Sequence, residues 1–468
     1  MMIKPVILWT DALVFLLVAV VLVFVLYARS KEHLRAPWRD VIRSRMAVAS
    51  LVVLSAYTVT GLLDSLHFRK ALPRTGAEQE IQYSGEVLSL LDALLGPMRT
   101  QVEKTYSAPF ATRLYTKEAL TTAAGDQVRV YPRLEYGGAH LADPGDRGAD
   151  IVARLFNAAW QALAATLAVG LSLGLVLARR RRLPLAAMLR RLSRGATAIP
   201  WRTALAALLL VGLVVALIAN LGGAYHVLGT DKVGQDVLYQ TIKSVRTGLV
   251  IGTLTTLVML PFAVVLGMMA GYFRGWVDDV IQYLYTTLNS IPGVLLIAAA
   301  VLMMEVYMAN HPELFETMAE RADLRLLFLC LILGITSWTG LCRLLRGETL
   351  KLRELDYVEA ATAFGVSRPT IMVRHLLPNL LHLVLITVVI DFSGLVLAEA
   401  VLSYVGVGVD PTTLSWGNMI NRARLEMARE PMVWWSLLAA FTFMFTLVLA
   451  ANLFSDVVRD AFDPRRRQ

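Results

Sequence analysis

Charge is what this sequence has least of. Asp, Glu, Lys and Arg make up 17% of its 468 residues, while 56% are hydrophobic. A soluble domain carries about 25% charged residues. A water-soluble fold is therefore excluded, and a polytopic membrane protein is expected. Cysteine is almost missing. Cys330 and Cys342 lie in or beside one apolar run, with no disulfide framework and no metal or redox spacing, so they read as small buried apolar side chains. Catalytic strings are missing too. There is no G-x-x-x-x-G-K-[ST], the spacing that lets backbone N–H groups and a Lys hold phosphates, and no H-E-x-x-H or C-x-x-C. The seven His are scattered; His375 and His382 stand seven apart without a further ligand. The expectation is a chain that is not an enzyme and binds no metal or cofactor. Uphill movement of a solute then draws its energy from a partner or an ion gradient.

What is present in abundance is long apolar runs. A spanning helix needs about 20 such residues, and about nine runs qualify, at 6–27, 46–63, 151–178, 203–221, 248–271, 280–306, 324–345, 379–403 and 432–456. The first ends in "YARSKEH" without a small-residue cleavage site, and reads as a retained anchor. The formal net charge is +9. Its Lys and Arg cluster beside apolar runs, which points to orientation signals and membrane lipids, not to nucleic acid. If nine spans alternate, the basic loops after the first, third and seventh spans, and the tail "DPRRRQ", share one side. The positive-inside rule makes that side cytoplasmic, with the N-terminus outside and the C-terminus inside. The opposite loop "HPELFETMAERAD" is net acidic.

Four segments are expected from this pattern. Residues 1–63 hold two spans and a basic loop. Residues 64–150 are long and polar, with strand-like pieces, and form a small extracytoplasmic domain. Residues 151–202 hold the third span and an Arg-rich loop, and 203–468 hold six spans. Within the spans, Asp391 and Glu399 stand out, since an ionisable group in a membrane is a functional candidate by default. Either one lines a path, or Asp391 bridges to a neighbouring helix and Glu399 faces water near a span end. "NSIP", Asn289 to Pro292, kinks its helix and frees carbonyls toward a cavity or a packing defect.

The loop over about 346–378 is the most informative polar stretch. "LDYVEAATAF" reads as a short helix bearing Glu359, Ala360, Ala361 and Phe364. Gly365 ends it by taking φ > 0. Ser367 caps a second helix, with Pro369 in its first turn, and Pro378 breaks or kinks the chain at the membrane entry. A small apolar helix face outside the membrane suits a partner's groove; the alternative is a connector lying on the headgroups.

Glu359, Ala360, Ala361, Gly365, Leu377 and Pro378 fall on the spacing E-A-A-x(3)-G…L-P, which resembles the EAA loop of bacterial ABC importer permeases. "RHLLPN" is similar to the dipeptide/oligopeptide/nickel branch. "LGTDKVGQDVLYQTIKSVRTGL", "AEAVLSYVGVGVDPTTLSWGNMI" and "SDVVRDAFDPRRR" resemble three further segments of its C-type subunit. His375 departs from a usually apolar position and Gln235 from a usual Arg. The resemblance covers roughly 203–468 and implies an all-α type I importer permease core in the bacterial cytoplasmic (inner) membrane. It also implies a second, B-type permease, two ATPase subunits that carry the ATP and Mg²⁺, and an extracytoplasmic solute-binding protein. Glu359, Ala360, Ala361, Phe364, Gly365, Arg368, His375, Leu377 and Pro378 would form the coupling contact with an ATPase. Gly229, Thr230, Asp231, Gly234, Asp236, Gly406, Gly408, Pro411, Ser415, Trp416 and Gly417 would form the outer mouth. Asn289, Pro292, Asp391 and Glu399 are the pathway candidates. The expected load is a di- or oligopeptide. The alternatives are a nickel or metal-chelate load, an ion-coupled transporter with Asp391 as proton carrier, or a scaffold whose working part is 64–150.

Overall fold

A computed structural model of the chain describes residues 3–30, 32–72, 82–121, 127–314 and 317–462. The arginines of the "DPRRRQ" tail lie outside the described residues. Among those described, nine helical stretches are long and apolar enough to cross a membrane, and each expected run overlaps one of them.

The elements follow in chain order. Strand β1 (Ile3–Val6) precedes α1 (Trp9–Ser30), α2 (Glu32–Arg43) and α3 (Arg45–Asp64). The polar segment then supplies β2 (His67–Lys70), β3 (Leu88–Ser89), α4 (Leu90–Leu94), α5 (Gly96–Thr100), β4 (Glu118–Thr121) and β5 (Gln127–Val130). Strands β1, β2 and β3 form one sheet in that order, and β4 pairs with β5 antiparallel, Glu118 opposite Val130. Ser89 and Asp92 make a reciprocal capping box at α4. Next come α6 (Arg147–Arg181), α7 (Leu185–Arg194), α8 (Trp201–Leu221) and α9 (Val237–Phe273). They are followed by α10 (Gly275–Ser290), α11 (Gly293–Asn310), α12 (Met318–Ser337), α13 (Thr339–Arg353) and α14 (Asp356–Ala363). The last are α15 (Arg368–Ile371), α16 (Leu377–Val405), α17 (Trp416–Glu426) and α18 (Trp435–Phe462).

Two compact units arise. One holds Met1–Pro5, Trp38–Thr247 and Leu414–Phe454; the other holds Val6–Pro37, Gly248–Thr413 and Ser455–Gln468. In the first unit, α3, α6 and α8 pack together. In the second, α1 packs on α12, where Asp323 accepts from the Thr10 backbone N–H at 3.1 Å. The second unit's larger core brings Met259, Met268, Leu341, Leu345, Ile371 and Leu376 together. There α9 and α13 approach closely: a Cβ on Gly267 would stand 2.8 Å from the Cys342 carbonyl oxygen, and one on Gly271 2.6 Å from the Thr349 Cβ. This small-xxx-small spacing lets helix backbones meet.

Two expectations about helix breaks change. The run 280–306 is not one kinked span. It is interrupted at Ile291 and Pro292, between α10 and α11, and the membrane-length piece is Gly293–Asn310. Residue 291 is extended (φ −90°, ψ 129°), as a residue before proline prefers. At Pro378 the reverse holds: the helix runs on from Arg368 to Val405. Its disturbance falls just earlier, as a π-helical turn over Met372–Leu376. Pro378 has no N–H for the Arg374 carbonyl and its ring crowds that carbonyl, so the turn widens instead of breaking.

Cys330 and Cys342 are both fully buried. One string resembling a hydrolase signature does occur, Gly170 to Gly174, "GLSLG". It lies in the middle of α6, where Ser172 Oγ donates to the Val169 carbonyl at 2.8 Å. A nucleophile elbow needs a strand-to-helix turn, so this is a packing stripe.

Candidate functional site

The segment 356–378 sits in the second unit with two distinct faces. Val358 and Ala361 of α14, and Ile371, Met372 and Leu376 beyond it, are buried in the core with Tyr272, Cys342 and Leu345. Glu359, Ala360, Thr362, Ala363 and Phe364 are exposed, and Phe364 is 87% exposed, far more than an aromatic ring ordinarily tolerates. Gly365 follows with φ 75°. It closes α14 through its own N–H to the Thr362 carbonyl at 3.0 Å and the Val366 N–H to Ala361 at 3.1 Å, the αL helix stop that glycine favours. A Cβ there meets nothing within 4 Å, so the constraint is conformational, not steric.

The base beneath is stiff. Arg346 of α13 makes a bidentate ion pair with Asp278 of α10, at 2.5 and 2.6 Å, the planar fork geometry that arginine favours. Arg353 Nη1 donates to the Tyr272 carbonyl at 2.7 Å, and Arg274 pairs with Glu354. A recess of about 530 Å³ opens beside α14, lined among others by Tyr272, Phe273, Arg353, Glu359 and Arg368. Arg368 lies over the Phe273 ring at 5.7 Å. Ser367 sits at the capping position but makes no cap bond to the backbone; its hydroxyl is 2.7 Å from that of Thr370. His375 is half-buried beside Tyr357, and Asn379 Nδ2 bridges the Tyr357 hydroxyl and the His375 carbonyl at 3.0 and 2.8 Å. Leu377 is half-buried, Pro378 exposed, and Arg374 exposed.

The Gly229–Asp236 segment, in the first unit, is not an open surface. Residues 103–107 lie directly on it. Glu103 N–H donates to the Gly234 carbonyl at 2.9 Å and Thr230 N–H to Ser107 at 3.1 Å. A Cβ on Gly234 (φ 77°) would stand 1.7 Å from the Glu103 carbonyl oxygen, and one on Gly229 (φ 69°) 2.4 Å from that of Ser107. Thr230 is fully buried, and its carbonyl accepts from the Trp435 indole at 2.9 Å. Asp236 is buried: it accepts from His226 Nδ1 at 2.8 Å and from the Tyr239 N–H at 2.9 Å. Glu103 stands 3.4 Å from His226 Nε2 and takes the N–H groups of Glu135, Tyr136 and Gly137 at 2.9 to 3.0 Å. Burial opposes charge on both groups, yet these partners outweigh it: His226 is pushed up to about 9 and Glu103 down to about 2. Asp231 is half-buried and turned into its own loop, accepting from the Val233 and Gln235 N–H groups at 3.0 and 2.9 Å. Gln235 is exposed beside Lys232 and Val233.

In the other expected outer segment, Gly406 (φ 90°) caps α16 and Pro411 is exposed, whereas Gly408 is buried against Ser403. Ser415 caps α17 through the Asn418 N–H at 3.0 Å. Trp416 and Gly417 are buried; the Trp416 indole donates to Thr241 at 3.1 Å, edge-on to Tyr57 at 6.4 Å. Trp416 and Asp236 are thus pillars of the fold, not surface contacts.

Among the pathway candidates, Asn289 Oδ1 accepts from the Thr339 hydroxyl at 3.0 Å, and Pro292 starts α11. Asp391, half-buried in the middle of α16, has no side-chain partner among the described residues. Glu399 does not face water: it is 1% exposed and accepts from Ser403 Oγ at 2.8 Å. Sequence reasoning missed Lys243, whose ammonium sits between Asp64 and Asp92 at 2.7 and 3.0 Å, with Tyr239 also donating to Asp92 at 2.7 Å. A lysine seven residues into a 37-residue apolar helix was the available signal.

The described residues thus combine membrane-length helices with a short helix that is buried on one face and exposed at its tip. The chain belongs to the family of binding-protein-dependent transport system inner membrane components, which matches residues 263–468. It is 33% identical over 242 residues to the glutathione transport system permease protein GsiD of Pectobacterium atrosepticum, covering 51% of this chain and 73% of that one. It is 30% identical over 245 residues to the oligopeptide transport system permease protein OppC of Mycobacterium tuberculosis, covering 52% and 78%. To the dipeptide transport system permease protein DppC of Lactococcus lactis it is 29% identical over 240 residues, covering 51% and 64%. It is a multi-pass inner-membrane protein.

Proposed function

We propose that the chain is the C-type permease subunit of an ABC importer for di- and oligopeptides. It forms half of the pathway with a B-type permease and is driven by two ATPases that engage residues 359–365. The observation that carries this reading is Phe364, 87% exposed on a helix end whose other face is locked into the core. An apolar anchor on a stiff base transmits force; a loop resting on headgroups needs no stiff base. ATP and Mg²⁺ belong to the ATPases, and this chain performs no chemistry of its own. Its N-terminus lies outside and its C-terminus in the cytoplasm.

Peptide as the load follows from the relatives, which carry dipeptides, oligopeptides and glutathione, itself a tripeptide; nickel is not favoured. Solute is delivered by an extracytoplasmic binding protein. Because residues 103–107 cover Gly229–Asp236, that protein meets the polar insert over 64–150 before it meets this segment. The experiment is purification from the native membrane followed by uptake in proteoliposomes. The expected result is co-purified ATPases and a second permease, and ATP-dependent peptide uptake that unlabelled peptide suppresses. Uptake driven by a proton gradient without ATP would overturn the reading.

A further inference from the structure

From residue 151 to residue 230 the chain has no Asp or Glu, yet eight arginines fall between Arg179 and Arg202. All eight are exposed, and no side-chain hydrogen bond or ion pair engages them among the described residues. Sidedness alone accounts for basic residues in a loop beside a span. It does not account for what lies next to them.

A groove of about 360 Å³ opens between α3, α6 and α8, lined by Val52, Leu173, Val176, Trp201, Leu205 and Leu208 among others. Its one hydroxyl, on Ser172, is already bonded within α6. Arginines continue the same three helices beyond the lining residues. Arg180 continues the Leu173–Val176 stripe one turn further along α6. Arg202 stands one turn before Leu205 on α8, and Arg45 two turns before Val52 on α3. All of these residues belong to the same compact unit, and all precede the matched family region. The apolar lining suits an acyl chain, and unpaired guanidinium groups are natural phosphate partners.

We infer that α3, α6 and α8 form a binding site for an anionic phospholipid, with one acyl chain in the groove and the phosphate held by Arg45, Arg179, Arg180 and Arg202. The stretch offers no carboxylate to receive the ammonium of a zwitterionic headgroup, so the site discriminates by headgroup charge.

The test is native mass spectrometry of the full chain, purified with its co-assembled partners. Phosphatidylglycerol and phosphatidylcholine of matched acyl chains are added in turn. The wild type retains phosphatidylglycerol and releases phosphatidylcholine. Arg179→Gln/Arg180→Gln/Arg202→Gln weakens phosphatidylglycerol retention by about fivefold per arginine, and the charge-matched Arg35→Gln/Arg39→Gln/Arg374→Gln leaves it unchanged. Leu173→Trp, which fills the groove, weakens retention with every arginine in place. All six arginines are exposed, so the two triples decide the matter even if Leu173→Trp fails to fold. Equal retention of the two lipids by the wild type, or equal losses in the two triples, overturns the site.

Discussion

Two glycine-bearing segments, Gly229–Asp236 and Glu359–Gly365, look alike as sequence and have opposite fates in the structure. Both join helices, both carry acidic residues, and both turn through a left-handed glycine. The first is buried under residues 103–107 of the same chain, and its glycines exist because a carbonyl occupies the place of a Cβ. The second ends in an exposed Phe364 and a glycine surrounded by open space. One glycine is required by packing and the other by a turn that presents a side chain outward. The first segment is a piece of architecture, and the second presents an exposed apolar tip.

Substitutions break that comparison in a defined order. Gly234→Ala has the largest effect. Its Cβ overlaps the Glu103 carbonyl at 1.7 Å, and no folded chain is expected in membranes, read by immunoblot and size-exclusion profile. Glu103→Gln comes next. It removes one partner from a buried charged group, which costs about 3–5 kcal/mol and shows as a lower melting temperature.

The same cluster predicts a pH dependence. His226 rises from 6.5 to about 9 in the folded chain, so its stabilisation is fully present below about 6.5 and fades as pH climbs through 9. Glu103 falls from 4.5 to about 2, so its share is present above about 4.5 and fades as pH drops through 2. Melting temperature against pH therefore declines on the alkaline side between 6.5 and 9, and His226→Gln flattens that limb.

At the other segment the ranking inverts between stability and function. Gly365→Asp places a side chain at φ 75° with room around it, a strain of about 1–2 kcal/mol. The chain inserts and assembles, while uptake is abolished. Phe364→Ala is the gentlest on the fold, within about 0.5 kcal/mol. It still lowers uptake by at least about tenfold, the scale of an interface anchor.

What the sequence disclosed follows the range of the forces involved. Apolar runs announce spans because each helix meets the membrane along its own length. The turn at Gly365 was legible because helix termination is a matter of a few adjacent residues. Pro378 was legible as a disturbance, but whether a proline breaks a helix or widens one turn depends on the core holding Ile371, Met372 and Leu376. The burial of Thr230, Asp236 and Glu399 left no local trace. Glu103 and Ser107, which cover this segment, lie more than a hundred residues before it, and no periodicity links Ser107 to Thr230. Glu399 was a candidate for a path or for water by its place near a span end; the Ser403 hydroxyl one turn away donates to it instead. Trp416 and Asp236, singled out by motif, are internal braces, while Lys243 and His226, which no motif marked, pair with Asp64, Asp92 and Asp236 in the first unit.

The most direct measurement is peptide-stimulated ATP hydrolysis by the assembled complex carrying Phe364→Asp. A charge at the exposed tip leaves the core beneath α14 untouched. The account predicts that the complex still assembles with the melting behaviour of this chain unchanged, and that stimulation of hydrolysis by peptide disappears. Full stimulation and normal uptake by the Phe364→Asp complex would contradict it, because energy would then enter the chain somewhere other than residues 359–365.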